Sequence, residues 1–396
     1  MTVNRFRRAF GTGDIVFREG EAGDCAYVVE SGRFQVYRTN GDGERVLAEV
    51  EAGALLGEMA LIDNRPRTAS VRALQQSELS LVTRDYFMQR IDGADPMLRH
   101  ILRLAIDRYR ELTDMITGGD GGASDAPLPI LTGQDQTLAL ERLRLQQDAE
   151  LALERGEFEL HSQPIVHLGD GSPAGFEALI RWKKDGRYVP PMDFIPQIEE
   201  SDLIVRVGQW TLETACLQLA ELQQAAGGRP LFMGVNLSAR QFTDPDLFRV
   251  VEGALARSGV PPHCLKLEIT ETLLIENFEQ AVEVLGRCKA MGLKLALDDF
   301  GTGYSSLSYL NRFPVDMLKI DRAFVKEMLS SRSTHKIVRA IAGLGRDLAM
   351  DVLAEGVETG AETEVLRQLG VDYAQGWYFA KALKQADALA YVRKAA

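Results

Sequence analysis

The chain has 396 residues, 45% of them hydrophobic and 26% charged, with a formal net charge of −12. That is too long for one ordinary domain, and the acidic excess disfavours non-specific nucleic-acid binding while permitting a small anion held through divalent cations. The scattered cysteines (Cys25, Cys216, Cys264, Cys288), the N-terminus MTVNRFRRAFGTGD with no apolar core, and the lack of a membrane-length run predict a cytoplasmic protein without structural zinc or a membrane partner.

Residues 11 to 83 alternate short β-like runs with Gly-rich turns: DIVFREG, CAYVVESG, RFQVYRT and RVLAEVEAG are separated by EAGD, SG and NGDG. Such spacing predicts a small antiparallel β-sandwich or roll. In LLGEMALIDNRPRTASVRA, residues 55 to 73, Gly57 opens a short helical turn whose free N–H groups suit an anion. Arg67 follows a proline turn at the start of TASVRA, where its guanidinium can clamp a phosphate; Glu58 can accept from a ribose hydroxyl. On these residues, 11 to about 116 resemble a cyclic nucleotide-binding domain, with GEMAL and RPRTASV as its phosphate-binding cassette. The resemblance implies a nucleotide site of Gly57, Glu58 (ribose), Arg67 (cyclic phosphate) and Thr68 or Ala69 (phosphate and base edge). A threonine after the arginine is similar to members that accept cGMP; these also bind cAMP, so both ligands stay open.

PMLRHILRLAIDRYRELTDMI, residues 96 to 116, repeats Leu98, Leu102, Ala105, Tyr109, Leu112 and Ile116 at four-three spacing. That face suits either a coiled-coil homodimer or packing on the sandwich. The resemblance implies that this helix moves when nucleotide binds. No helix-turn-helix pattern follows it, which argues against a DNA-binding regulator. Residues 117 to 136 read as a Gly/Pro/Ser/Asp linker, and 137 to 156 as a charged amphipathic helix entering a second domain, 137 to 396.

From about 157 onward, apolar strands alternate with helical segments at the pace of a (β/α)8 TIM-like barrel. Polar residues recur near the strand ends: Glu177, Asn236, Glu268 with Glu271, Asp298 with Asp299, Lys319, Glu355 with Glu358, and Gln375. The C-terminal strand ends are where such barrels hold their chemistry. So many converging charges need cations, and oxygen donors without His or Cys favour two Mg²⁺ or Mn²⁺ ions over zinc. Two metals about 4 Å apart can share Asp298 and prepare a water for in-line attack on a phosphodiester, with Lys319 beside it as proton acceptor or charge stabiliser.

This half resembles an EAL-type cyclic di-GMP phosphodiesterase through QPIV (163 to 166), EALIRW (177 to 182), VNLSARQF (235 to 242) and LEITET (267 to 272). DDFGTGYSSLSYL (298 to 310), KIDRAFV (319 to 325), AEGVET (354 to 359) and QGWYF (375 to 379) complete the series. The resemblance implies metal ligation by Glu177, Asn236, Glu268, Asp298, Asp299 and Glu355, and water activation by Lys319. It makes Glu271 the anchor of the loop after Asp299, and Gln163, Arg181 and Gln375 substrate-side positions. Departures are Ser162 where an aromatic is common, KKDGRYVPP in place of the usual His-Pro segment, and Gly-Trp after Gln375. DFG also occurs in protein kinases, but no glycine loop, lysine or HRD pattern accompanies it here. The expected protein is a cyclic di-GMP hydrolase yielding linear pGpG, regulated by cAMP or cGMP. The competing reading is a silent cyclic di-GMP receptor acting on a partner protein.

Overall fold

The computed structural model describes residues 6–40, 43–63, 65–84, 134–276, 278–301 and 312–395. The helix expected at 96 to 116, the linker up to 133 and the loop segment 302 to 311 lie outside the described residues. Two compact units, Met1–Glu150 and Leu151–Ala396, make up the chain.

In the first unit, β1 (Arg7–Phe10), β2 (Ile15–Phe17), β3 (Cys25–Ser31), β4 (Arg33–Asn40), β5 (Gly43–Glu51), β6 (Leu55–Leu56), β7 (Ser70–Ala73) and β8 (Ser77–Thr83) form two antiparallel sheets. Their orders are β1-β8-β3-β6 and β2-β7-β4-β5. Alternation sets the layers. From β3, Tyr27 and Val29 join Phe17, Phe34, Val71 and Leu79 in one core, while Ala26 and Val28 meet Leu61 and Val82 in a second. Leu61 lies on the short helix Glu58–Asp63, so that helix is seated by burial against β3. The charged helix expected from 137 runs Gln134–Arg155. Its Arg144 pairs with Glu30, which also accepts from Ser80 Oγ at 2.7 Å, and Gln147 Nε2 donates to Leu81 O at 2.7 Å.

The second unit is a barrel of β9 (Phe158–His167), β10 (Pro173–Lys184), β12 (Phe232–Asn236), β13 (Leu265–Thr270), β14 (Lys294–Phe300), β15 (Met317–Ile320), β16 (Asp351–Ala354) and β17 (Tyr373–Gln375). β11 (Arg187–Val189) extends β10 as a hairpin. Pairing of β9 with both β10 and β17 closes the ring. β9 runs antiparallel to both neighbours, whereas β10 and β12 to β17 are parallel. The physical reason lies in the connection: the few residues between His167 and Pro173 can close a hairpin but not a helical crossover.

Outside the ring, helices bury one stripe each. Leu203–Ala225 buries Val207, Leu212, Ala215, Cys216, Leu219 and Leu222 at helical spacing. All four cysteines are free thiols, and Cys216, Cys264 and Cys288 pack as small hydrophobes. Inside, Ile165, Ala296, Met317 and Leu353 form an apolar floor across the barrel. Below it Lys266 sits over the Phe232 ring at 3.7 Å and within 3.8 Å of Asp351. Among the described residues, no helix is long and apolar enough to cross a membrane.

Candidate active site and nucleotide site

Above the floor, the inward positions of successive parallel strands change from apolar to charged. Lys319 on β15 is 1% exposed, and its ammonium is the centre of the group. Nζ lies 2.7 Å from Glu355 Oε1, 3.1 Å from Asp298 Oδ2 and 4.0 Å from Glu177 Oε1, and donates a short hydrogen bond to Glu268 Oε2. Glu177 is fixed from both sides, since Asn236 Nδ2 donates to Oε1 at 2.8 Å and Gln375 Nε2 to Oε2 at 2.5 Å. Gln163, opposite Glu177 in the β9–β10 ladder, donates to Ala380 O. Arg181, four residues along β10, is half-buried, and its Nη1 donates to Ile180 O.

Two backbone features make this crowding possible. Gly234 on β12 faces Glu268, and a Cβ there would overlap Glu268 Oε1, so the carboxylate occupies space that only glycine leaves open. Asp299 has φ 54°, and the β14–β15 register shifts between Leu297 and Phe300. A regular strand would send Asp298 and Asp299 to opposite faces. The left-handed residue breaks that alternation, and Asp299 still feels Asp298, Lys319 and Glu177 electrostatically. Gly301 N–H reaches Glu271 Oε2 at 3.4 Å, and the loop continues into residues outside the described set. Glu358 stands apart, exposed at the start of the helix Gly360–Leu369, where Thr359 and Glu362 form a capping box.

The electrostatics follow from burial. Desolvation first, then Glu177 and Asp298, push the Glu268 carboxyl up to about 8 against the pull of Lys319. Glu355 rises to about 8 for the same reasons, burial again leading. Burial also opposes the charge on Lys319, but Glu268, Glu355, Glu177 and Asp298 outweigh it and hold its pKa well above the ordinary lysine value. One ammonium therefore serves four carboxyl groups. Glu355 Oε1 lies near Nζ without hydrogen-bond alignment, and Gln375 Oε1 is likewise buried with no hydrogen-bond partner.

These orphaned oxygens and the all-oxygen donor set fit a hard divalent cation. Among the described residues no three His, Cys, Asp or Glu side chains are already arranged around an ion position. The carboxyl groups instead surround the Lys319 ammonium.

In the first unit, Arg67 is 5% exposed and turned inward. Nη1 donates to Gly57 O at 2.8 Å, Nη2 to Cys25 O at 2.5 Å, and the guanidinium lies 4.3 Å over the Phe17 ring. Its Nε is buried without a hydrogen-bond partner. Gly57 has φ 78°, and a Cβ there would collide with the guanidinium, so glycine serves both the turn and the cation. Glu58 is raised by burial, with Arg67 acting against the shift. Ala69 is buried, and the Thr68 carbonyl accepts from Arg38 Nε at 2.5 Å.

Sequence reasoning did not single out Gly234, although a glycine inside a strand is a signal of close approach. It also missed the polar group of Glu159, His161, Tyr188 and Lys384 beside Arg181, which carries no recognisable spacing.

The EAL domain family model matches residues 146–382, and that of the cyclic nucleotide-binding domain matches residues 7–93. The chain is 36% identical over 280 residues to the cyclic di-GMP phosphodiesterase PdeR of Escherichia coli, covering 70% of this chain and 42% of PdeR. It is 40% identical over 255 residues to the bifunctional diguanylate cyclase/cyclic di-GMP phosphodiesterase MucR of Pseudomonas aeruginosa, covering 64% and 37%. The chain spans about a third of the length of the first curated relatives it matches. Among solved structures, the cAMP- and cyclic-di-GMP-bound form of the EAL enzyme Bd1971 is 33% identical with a TM-score of 0.65, covering 98% of this chain and all of that one. The MucR phosphodiesterase in complex with c-di-GMP is 40% identical with a TM-score of 0.59, covering 62% of this chain and 99% of that one.

Proposed function

Because this chain belongs to the EAL domain family, we propose that it is a cytosolic phosphodiesterase that opens one phosphodiester of cyclic di-GMP to give linear pGpG. The observation that carries this reading is the buried centre of Glu177, Glu268, Asp298 and Glu355 around Lys319 at the mouth of the barrel. Two Mg²⁺ or Mn²⁺ ions held by Glu177, Asn236, Glu268, Asp298, Asp299 and Glu355 would supply charge for the phosphoryl oxygens and an acidified water for in-line attack. The protein's own part is orientation. Asn236 and Gln375 lock the plane of Glu177, Gly234 makes room for Glu268, and Glu271 tethers the loop after Asp299. Lys319, within reach of all four carboxyl groups, would stand beside that water as proton acceptor or as stabiliser of developing phosphoryl charge. Gln163, Arg181 and Gln375 orient the substrate.

The N-terminal unit, 1 to 116 in this reading, would bind cAMP or cGMP, with Arg67 on the cyclic phosphate. Support comes from the buried guanidinium with its unused Nε and from the cAMP and cGMP complexes of Bd1971. Binding would change hydrolysis by about 1–3 kcal/mol of coupling, transmitted in a homodimer joined through residues 96 to 116. The test is product formation by purified protein with Mg²⁺ or Mn²⁺, titrated with each mononucleotide. Tight cyclic di-GMP binding with no pGpG under either metal would make the protein a silent receptor. A rate indifferent to bound mononucleotide would remove the regulation.

A further inference from the structure

Glu159 and Arg181 are direct partners in the β9–β10 ladder, on the face that also carries Gln163 and Glu177. Opposite charges in such positions stand about 4.5–5.5 Å apart at Cβ and ordinarily pair. Here they do not. Among the described residues Arg181 makes no ion pair, and its one side-chain hydrogen bond goes to the neighbouring Ile180 carbonyl. The Glu159 carboxylate is engaged instead by other groups of the same face. Tyr188 Oη donates to Oε2 at 2.7 Å, Lys384 Nζ lies 3.2 Å and His161 Nε2 3.3 Å from the same oxygen, and Lys183 Nζ is 4.0 Å from Oε1.

These claimants are themselves held in place. Tyr188 sits on β11, paired with Lys183 of β10, and its ring meets His161 edge-on at 5.7 Å. Lys384 is anchored through its neighbour Leu383, whose N–H donates to Ser162 O at 2.9 Å and whose carbonyl accepts from Ser162 N at 2.8 Å. Glu159 is accordingly held down to about 2, with the Tyr188 hydroxyl the first cause.

We propose that Tyr188 and Lys384 are positioning residues that draw Glu159 away from Arg181 and so keep the guanidinium open for the anionic substrate. This rests on the phosphodiesterase reading and names a specificity device within it. A guanidinium paired with its cross-strand carboxylate would offer a phosphate or guanine edge much less, since the substrate would first have to displace an ion pair.

The test is the double variant Tyr188→Phe with Lys384→Met, which frees Glu159 to swing onto Arg181. KM for cyclic di-GMP should rise roughly tenfold, about the strength of one charge-assisted hydrogen bond, with kcat unchanged. Adding Glu159→Gln should restore KM, and Glu159→Gln alone should leave it at the wild-type value. A wild-type KM in the double variant overturns the inference. A raised KM that Glu159→Gln fails to restore also overturns it, since that marks mere loosening of the rim. If the double variant does not fold, Tyr188→Phe alone, which keeps the ring packing, must show the same rescued rise at smaller size. Cyclic di-GMP binding by calorimetry in Ca²⁺ accompanies each assay. A wild-type chain that neither binds nor cleaves cyclic di-GMP removes the phosphodiesterase reading and this inference together, whereas an active wild type with an indistinguishable variant removes this one alone.

Discussion

Replacing Lys319 by Met tests the electrostatics of the barrel centre. In the metal-free protein this substitution removes the ammonium on which Glu177, Glu268, Asp298 and Glu355 converge, all within 4.0 Å of Nζ. Breaking a buried pair by deleting one partner costs about 3–5 kcal/mol, because the remaining charge is left uncompensated. Glu268 and Glu355 already lie near 8 and rise further without the lysine, so at pH 7 they stay protonated and the cost falls at the lower end. At ~2–4 °C per kcal/mol for a unit of this size, the metal-free melting temperature should drop by roughly 6–12 °C. The deficit should widen as pH rises through 8, where the carboxyls must ionise beside one another. Divalent cations supply the charge that the lysine gave, so the Mg²⁺-induced rise in Tm should be larger in the variant than in the wild type, while turnover is lost. Thermal unfolding in EDTA and in Mg²⁺, at pH 7 and 9, measures all three quantities. Equal melting temperatures in EDTA, or a smaller Mg²⁺ shift in the variant, would refute the idea that Lys319 and the metals compensate the same carboxylates.

Gly234→Ala should displace Glu268 and weaken metal activation about tenfold or more while the barrel still folds; a Glu268→Asp partner, one methylene shorter, should recover part of it, as metal titrations of the rate will show. Metal binding should release protons at pH 7, because Glu268 and Glu355 are raised to about 8 and must ionise to ligate. The sign is fixed: apparent affinity climbs from pH 7 to 9, and calorimetry in buffers of different ionisation heat would return no proton release if the shifts were wrong. Arg67→Ala should weaken cyclic-mononucleotide binding and leave unstimulated hydrolysis largely intact; unchanged calorimetric affinity for both cAMP and cGMP would dismiss Arg67 as the phosphate clamp.

The barrel was readable because its signals are local. Each strand is a short apolar run, and its end is marked by Glu177, Asn236, Glu268, Asp298, Lys319, Glu355 or Gln375, all within a few residues of the hydrophobic pattern that locates them. The sandwich was readable for a similar reason, since Gly-rich turns punctuate β3, β4 and β5. What the pattern could not carry is geometry between elements. Nothing in MLKID says that Lys319 reaches four carboxylates, and nothing in LDDF says that Asp299 adopts a left-handed backbone to escape strand alternation. The opposition of Glu159 and Arg181 depends on a register set by the closing hairpin of β9 and β10. Antiparallel β9 could have been inferred from its brief connection to β10, but the barrel pattern invites the assumption that every strand runs alike.

The floor of Ile165, Ala296, Met317 and Leu353 makes the centre a cul-de-sac. Substrate and product of the proposed hydrolysis would both pass the strand ends above that floor, on the side of Lys319 and not of Lys266. Under the proposed reaction, a linear dinucleotide that lingers at Arg181 and Gln375 blocks the arrival of the next cyclic one. Shared passage of this kind would make the product a competitive inhibitor, and a step that hastens its exit would quicken turnover without touching the bond-breaking groups.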